Sequence, residues 1–151
     1  MGQQAFGKSA LEKFHTGSDH EVVAVYCAPD KEGKPLDPVK EYAQSVGLPV
    51  FQPSNFKDQE VLDQIKSHDA DLCVMAYVII FVPEAARDIP KHGSVCFHPS
   101  LLPKFKGLHT FSRILKNKEK KTGCTVHYVN EKLDAGNIIL QKSFYINSKG
   151  D

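Results

Sequence analysis

The sequence predicts an α/β fold in which a mostly parallel sheet carries helices on both faces. Two observations point to it. Helix-like and strand-like segments alternate along the 151 residues, which is the order that builds β-α-β units. Several strand-like segments are continuous apolar runs rather than alternating ones, as strands buried on both faces require.

The elements follow in order. Residues 10–14 form the core of a short helix closed near Gly17, and residues 21–26 are a β-branched, strand-like run. A polar loop with glycine and prolines occupies 29–38. Residues 39–46 read as a helix stopped by Gly47, and 49–51 as a short strand. Val61, Leu62 and Ile65 stand at helical spacing within 58–67, and 71–76 is the next strand. Pro83 opens a short helix over 83–87, a first-turn position that tolerates proline. A strand follows at 94–97 and a helix at 110–115. Two closing strands, 122–129 and 137–144, complete the chain.

Composition narrows the class. Apolar residues make up 41% and charged residues 25%, ordinary for a globular protein. At this length the chain is expected to be one domain. The net charge of +1 gives no overall bias toward nucleic acid or anionic membrane. No run reaches the roughly 18–20 apolar residues that span a bilayer, and the first residues lack the regions of a signal peptide. A cytoplasmic protein with no membrane partner is expected. Cysteines at 27, 73, 96 and 124 form no C-x-x-C pair, which argues against a zinc or dithiol site. They read as reduced, buried, small hydrophobes.

The chemistry-bearing stretch is Cys96-Phe-His-Pro-Ser-Leu-Leu-Pro-Lys-Phe-Lys-Gly107. His98 ends a strand, and ligands of open α/β sheets sit beyond the carboxyl ends of strands. Pro99 restricts the backbone on either side of itself, holding the imidazole at that edge. A second stretch, Asn130-Glu-Lys-Leu-Asp-Ala-Gly136, joins the closing strands. Taken alone it is a polar hairpin loop, and His98 taken alone also suits a structural histidine. Together they offer an imidazole and a carboxylate. A carboxylate favours the imidazolium, an imidazolium stabilises an oxyanion, and the carboxylate can route protons. Acyl-type group transfer or hydrolysis is the chemistry such a pair supports.

At His98-Pro-Ser-Leu-Leu-Pro103 with Lys106-Gly107, and at Leu133-Asp-Ala-Gly136 ahead of an Ile-Ile-Leu strand, the chain resembles the folate-dependent formyltransferase family over nearly its whole length. The resemblance implies a three-layer Rossmann-like fold and a single formyltransferase-type catalytic domain over 1–151. It implies transfer of a formyl group from 10-formyltetrahydrofolate to an amine of methionyl-tRNA or glycinamide ribonucleotide, with no metal. A 10-formyltetrahydrofolate hydrolase and an inactive folate-binding fragment are the alternatives. By the same resemblance His98 stabilises the oxyanion of the tetrahedral intermediate, and Asp134 keeps the imidazole charged and helps shuttle the proton through water. Val78, Ile80 and Phe81 form the apolar wall of the pterin site, and Asn130 and Glu131 lead the loop on its other side. Plain core packing also accounts for the apolar run at 78–81.

Two features depart from the family pattern. Where an asparagine is expected two residues before the histidine, Cys96 stands. Strand alternation still points it at the site, but its S–H is a weak donor. A nucleophilic role for Cys96 is weighed against the inertness of buried thiols. The chain also lacks the apolar strand expected before Gly2 and the helices expected after the last strand, so it reads as truncated at both ends. Gly2-Gln-Gln-Ala-Phe-Gly7 resembles the first loop of the tRNA-directed and dehydrogenase members. His127 is a secondary site candidate or a structural strand histidine. His109, Lys104 and Lys106 are either acceptor-side groups or ordinary surface residues.

Overall fold

From Gln4 to Arg87 helices and strands alternate strictly: α1 (Gln4–Thr16), β1 (Val25–Tyr26), α2 (Pro38–Ser45), β2 (Val50–Phe51), α3 (Gln59–Ser67), β3 (Cys73–Ala76) and α4 (Glu84–Arg87). There follow β4 (Ser94–His98), α5 (Thr110–Lys116), β5 (Lys121–Tyr128) and β6 (Ile138–Tyr145). The structure is a computed structural model that describes residues 1–17, 19–107, 109–129 and 136–146. The chain divides into two compact units, Met1–Ser94 and Val95–Asp151.

In the first unit the sheet is parallel. β1 pairs with β2, Val25 opposite Val50 and Tyr26 opposite Phe51. Met1–Gln3 lies between β1 and β3. The Gly2 N–H donates to Tyr26 O at 3.0 Å, Ala76 N–H to Met1 O at 2.9 Å, and Gln3 N–H to Ala76 O at 3.3 Å. Gly2 and Ala76 thereby form a parallel bridge, so Met1–Gln3 continues the parallel sheet between β1 and β3. The expected strand at 21–26 is a regular ladder only at Val25–Tyr26. Upstream of it Leu48 gives its N–H to Ala43 O instead of to residues 21–24.

The helices are fixed by local chemistry. Asp37 caps α2, accepting from Val39 N at 2.9 Å with Pro38 at the first helical position. The same carboxylate accepts from Gln4 N at 2.9 Å. That contact starts α1 six residues before the expected core at 10–14. Gly7 is needed in α1 because a β-carbon there would lie 2.9 Å from Val39 Cγ2 and 3.0 Å from Ala76 O. The core then closes around Val25, Cys27, Val39 and Ala43, with Leu11, Val22, Leu48 and Val50 packed against it.

In the second unit the strands return antiparallel. β4 pairs with β5 and β5 with β6. The connection from β5 to β6 is too short for the crossover that a parallel pair needs, so the parallel arrangement belongs to the first unit. All eight residues of β6 are exposed. All four cysteines are free. Cys27 alone is buried, and Cys73, Cys96 and Cys124 are half-buried, less enclosed than the sequence suggests.

Candidate functional site

β4 runs Ser94–His98, and its register fixes what surrounds the candidate residues. Cys96 stands opposite His127 and His98 opposite Thr125. Directly opposed residues share a face of the sheet, so Cys96, His98, Thr125 and His127 lie on one face. Cys96 and His98 share that face as strand alternation requires. Gln141, opposite Thr125 on β6, extends the same row.

The imidazole of His98 is 6% exposed. Its Nε2 lies 2.9 Å from Phe105 O. A carbonyl only accepts, so Nε2 carries the proton in this contact. The partner carbonyl belongs to the loop that the prolines stiffen. Residues 99–107 fold back over the end of β4, which is why a strand ending in histidine is followed by such a constrained stretch.

That loop is held by a polar hub the sequence does not advertise. Thr125 is fully buried. Its hydroxyl donates to Ser100 O at 2.6 Å and accepts from Leu102 N at 3.0 Å and from Gln141 Nε2 at 3.0 Å. Gln141 Nε2 also donates to Leu102 O at 2.9 Å. Ser100, also fully buried, donates from its hydroxyl to Lys104 O at 2.6 Å. Three strands thus grip one loop: His98 from β4, Thr125 from β5 and Gln141 from β6. The signals for these residues are thin in sequence. A threonine is common in any strand, and Gln141 begins a polar triplet, Gln-Lys-Ser, that ordinary strand exposure would also explain.

The secondary candidates divide. His127 is 2% exposed and its Nδ1 donates to Tyr128 O at 2.9 Å. His109, Lys104 and Lys106 are all exposed. His109 caps α5 with a left-handed backbone, φ 56°, and makes no side-chain cap bond. The thiol of Cys124, beside Thr125, is pushed up from its ordinary value by burial first and by Cys96 second.

Asp134, Asn130 and Glu131 lie outside the described residues. Gly136, two residues after Asp134, is described. A β-carbon there would fall 1.6 Å from Tyr128 O, so position 136 admits only glycine.

The expected pterin wall belongs to the first unit. Val78 and Ile80, half-buried, border a niche of about 10 Å³ with Gly2, Gln3, Cys27 and Phe56, beyond the carboxyl ends of β1 and β3. That volume is about the space of one water. Phe81 is 69% exposed, with Lys57 Nζ 5.6 Å from its ring centre. The wall and the His98 group thus fall in separate units. Among the described residues no helix is long and apolar enough to cross a membrane.

Comparison with known proteins gives a consistent picture. A family profile described as "Formyl transferase" matches residues 1–151. The chain is 36% identical to a methionyl-tRNA formyltransferase of Fusobacterium nucleatum subsp. nucleatum, covering 99% of this chain and 49% of that protein. It is 35% identical to the cytosolic 10-formyltetrahydrofolate dehydrogenase of Xenopus laevis, covering 94% of this chain and 16% of that protein. Among solved structures, phosphoribosylglycinamide formyltransferase from Anaplasma phagocytophilum superposes with a TM-score of 0.80 at 29% identity, over 99% of this chain and 71% of that one. The chain spans about half the length of the methionyl-tRNA formyltransferases it matches.

Proposed function

This chain belongs to the formyl transferase family, and we propose that it moves a formyl group from 10-formyltetrahydrofolate to an amine, borne on methionyl-tRNA or on glycinamide ribonucleotide. The observation that carries the reading is the fixed, buried imidazole of His98 at the end of β4, inside the motif through which the sequence resembles the family. The amine nitrogen attacks the formyl carbon, and the carbonyl oxygen gathers negative charge in a tetrahedral intermediate. His98, protonated at Nδ1, stabilises that oxyanion. Asp134 favours the charged imidazole and, through water, passes the proton lost by the attacking amine to the departing folate nitrogen. Collapse breaks the bond from carbon to that nitrogen and leaves the formylated amine and tetrahydrofolate. In this reading Val78, Ile80 and Phe81 face the pterin, and Asn130 and Glu131 belong to the loop across from them. The whole chain acts as one formyltransferase-type unit in the cytoplasm.

Hydrolysis is the second reading, and Cys96 favours it. A thiol polarises the formyl oxygen less than an amide would, and one of the relatives is a 10-formyltetrahydrofolate dehydrogenase. In that case water replaces the amine as attacking group.

Tetrahydrofolate release from 10-formyltetrahydrofolate, followed with and without each amine, separates the two. Release that depends on an amine is expected, and release indifferent to both amines would make the chain a hydrolase. His98→Ala and Asp134→Asn are each expected to lower release about 100-fold or more. Unchanged rates in both variants would overturn the assignment.

A further inference from the structure

The net charge of +1 hides a segregation of sign. Residues 95–129 hold seven of the 19 lysines and arginines and one of the 18 acidic residues, Glu119. The rest of the chain is acidic in balance. An ordinary solvated surface mixes the two signs, whereas charge parted in this way suits a polyanionic partner. Among the described residues the ion pairs, Lys40 with Asp30 and Arg87 with Asp88, both lie in the first unit.

The basic residues follow one continuous path. Lys104 and Lys106 belong to the 99–107 loop. Lys104 O accepts from Ser100 Oγ, and Phe105 O, between the two lysines, accepts from His98 Nε2. The path therefore begins against the candidate site. Arg113 of α5 joins loop to helix. It donates from Nη1 to Lys106 O, and its guanidinium carbon lies 5.6 Å from the centre of the Phe105 ring. Lys116 stands about one turn further along the same helix face. The turn out of α5 then brings up Lys118 and Lys120. Lys118 N donates to Leu115 O at 3.0 Å, Glu119 N to Ile114 O at 3.3 Å, and Ile146 N to Lys120 O at 2.9 Å, so this turn is fixed at both ends. Lys121 opens β5 with its Nζ 5.7 Å from the centre of the Tyr145 ring. Thr125 stands opposite His98 in an antiparallel pair. Lys121 thus lies about 13 Å beyond the carboxyl end of β4, at about 3.3 Å per residue. The path stays at the end where open α/β sheets place their ligands.

Arg113 is committed to the loop and Lys121 to the Tyr145 ring. Lys104, Lys106, Lys116, Lys118 and Lys120 make up the rest of the path, and all five are exposed. A ribonucleotide acceptor carries a single phosphate, too small a partner for lysines spread over a loop, a helix end and a turn. A nucleic-acid strand presents a phosphate about every 3.4 Å and matches such a row. Contacts of this kind position a strand without reading its sequence.

We propose that the row Lys104, Lys106, Lys116, Lys118 and Lys120 holds the phosphate backbone of an RNA whose end carries the acceptor amine. This rests on the reading of His98 as part of a formyl-transfer site, and it selects the RNA-borne amine among the acceptors of that reading. The strand runs from the turn before β5 along α5 to the 99–107 loop, where its amine-bearing end meets the loop that covers β4.

The test uses the full chain and fluorescein-labelled methionyl-tRNA. Anisotropy should show saturable binding, with log K falling against log salt at a slope of about −4. The triple variant Lys116→Ala, Lys118→Ala, Lys120→Ala changes exposed positions only. It should weaken binding about tenfold or more and flatten the slope by about 2–3. The KM for methionyl-tRNA should rise by a similar factor with kcat within about twofold. Lys8→Ala, Lys13→Ala, Lys66→Ala removes the same charge from the first unit and should leave binding within about twofold. No saturable binding overturns the proposal, as does an unchanged slope in the first triple variant or an equal loss in both. Binding to phosphatidylserine vesicles in place of RNA would assign the row to a lipid surface and overturn it too. Transfer to glycinamide ribonucleotide by a chain that does not bind methionyl-tRNA overturns this inference and leaves formyl transfer standing. RNA binding with the expected slope, but no tetrahydrofolate release with any acceptor, fails the formyl-transfer reading while the row stands.

Discussion

Thr125 has one hydroxyl and three hydrogen-bond partners, and with those it ties Ser100 and Leu102 to β5 and Gln141. Thr125→Val keeps the shape of the side chain but leaves Leu102 N–H and Ser100 O buried without that partner. An unsatisfied buried group costs about 1–3 kcal/mol. Chemical denaturation should show a loss of that size, together with faster proteolysis of the 99–107 loop. His98 was legible in the sequence because a strand, a histidine and two prolines combine in one short stretch. Thr125 was not, because its importance comes from the residue opposite it, and register is not written in any local pattern.

At the scale of elements, Asp37 does more than cap one helix. It serves Val39 N of α2 and Gln4 N of α1 together, and accepts from Gln3 Nε2 at 3.1 Å. Losing a capping carboxylate costs about 0.5–2 kcal/mol. Asp37→Ala should fall at the upper end of that range because two helix starts lose an acceptor, and Asp37→Asn should recover part of it. Thermal unfolding of the two variants measures the difference. α2 was readable from its own residues, a proline and an acidic cap before an apolar periodicity. The first turns of α1 were not, since their acceptor lies 33 residues away. The shortening of the 21–26 strand has a related cause: β-branched composition makes a segment ready to pair, but a ladder needs a neighbour.

Across the molecule, burial shapes the response to alkali. Burial, then Cys73, raises the Tyr26 hydroxyl from 10.0 to about 12, where Phe51, Phe56 and His68 surround the ring. Burial first, and then the Asp37 carboxylate, raises the Cys27 thiol from 9.0 to about 11. In both cases the folded chain keeps a proton that the unfolded chain gives up. Their contribution is fully present below pH 9 and is lost as the pH climbs through 11 and 12. The melting temperature should be level up to pH 9 and fall beyond it, and Tyr26→Phe should flatten the part of the fall between 10 and 12. A decline of equal steepness in that variant would show that other groups govern it.

The α/β class, the sequence of elements and the motif around His98 were set by composition and spacing alone, because helix and strand periodicities and proline restrictions act within a few residues. Strand direction in the second unit, the row of Cys96, His98, Thr125 and His127 along one face and the clamp on the 99–107 loop were decided only in the tertiary structure. Each of these depends on which distant backbone lies alongside, and hydrogen-bond register between segments far apart in the chain is a property of the packed fold.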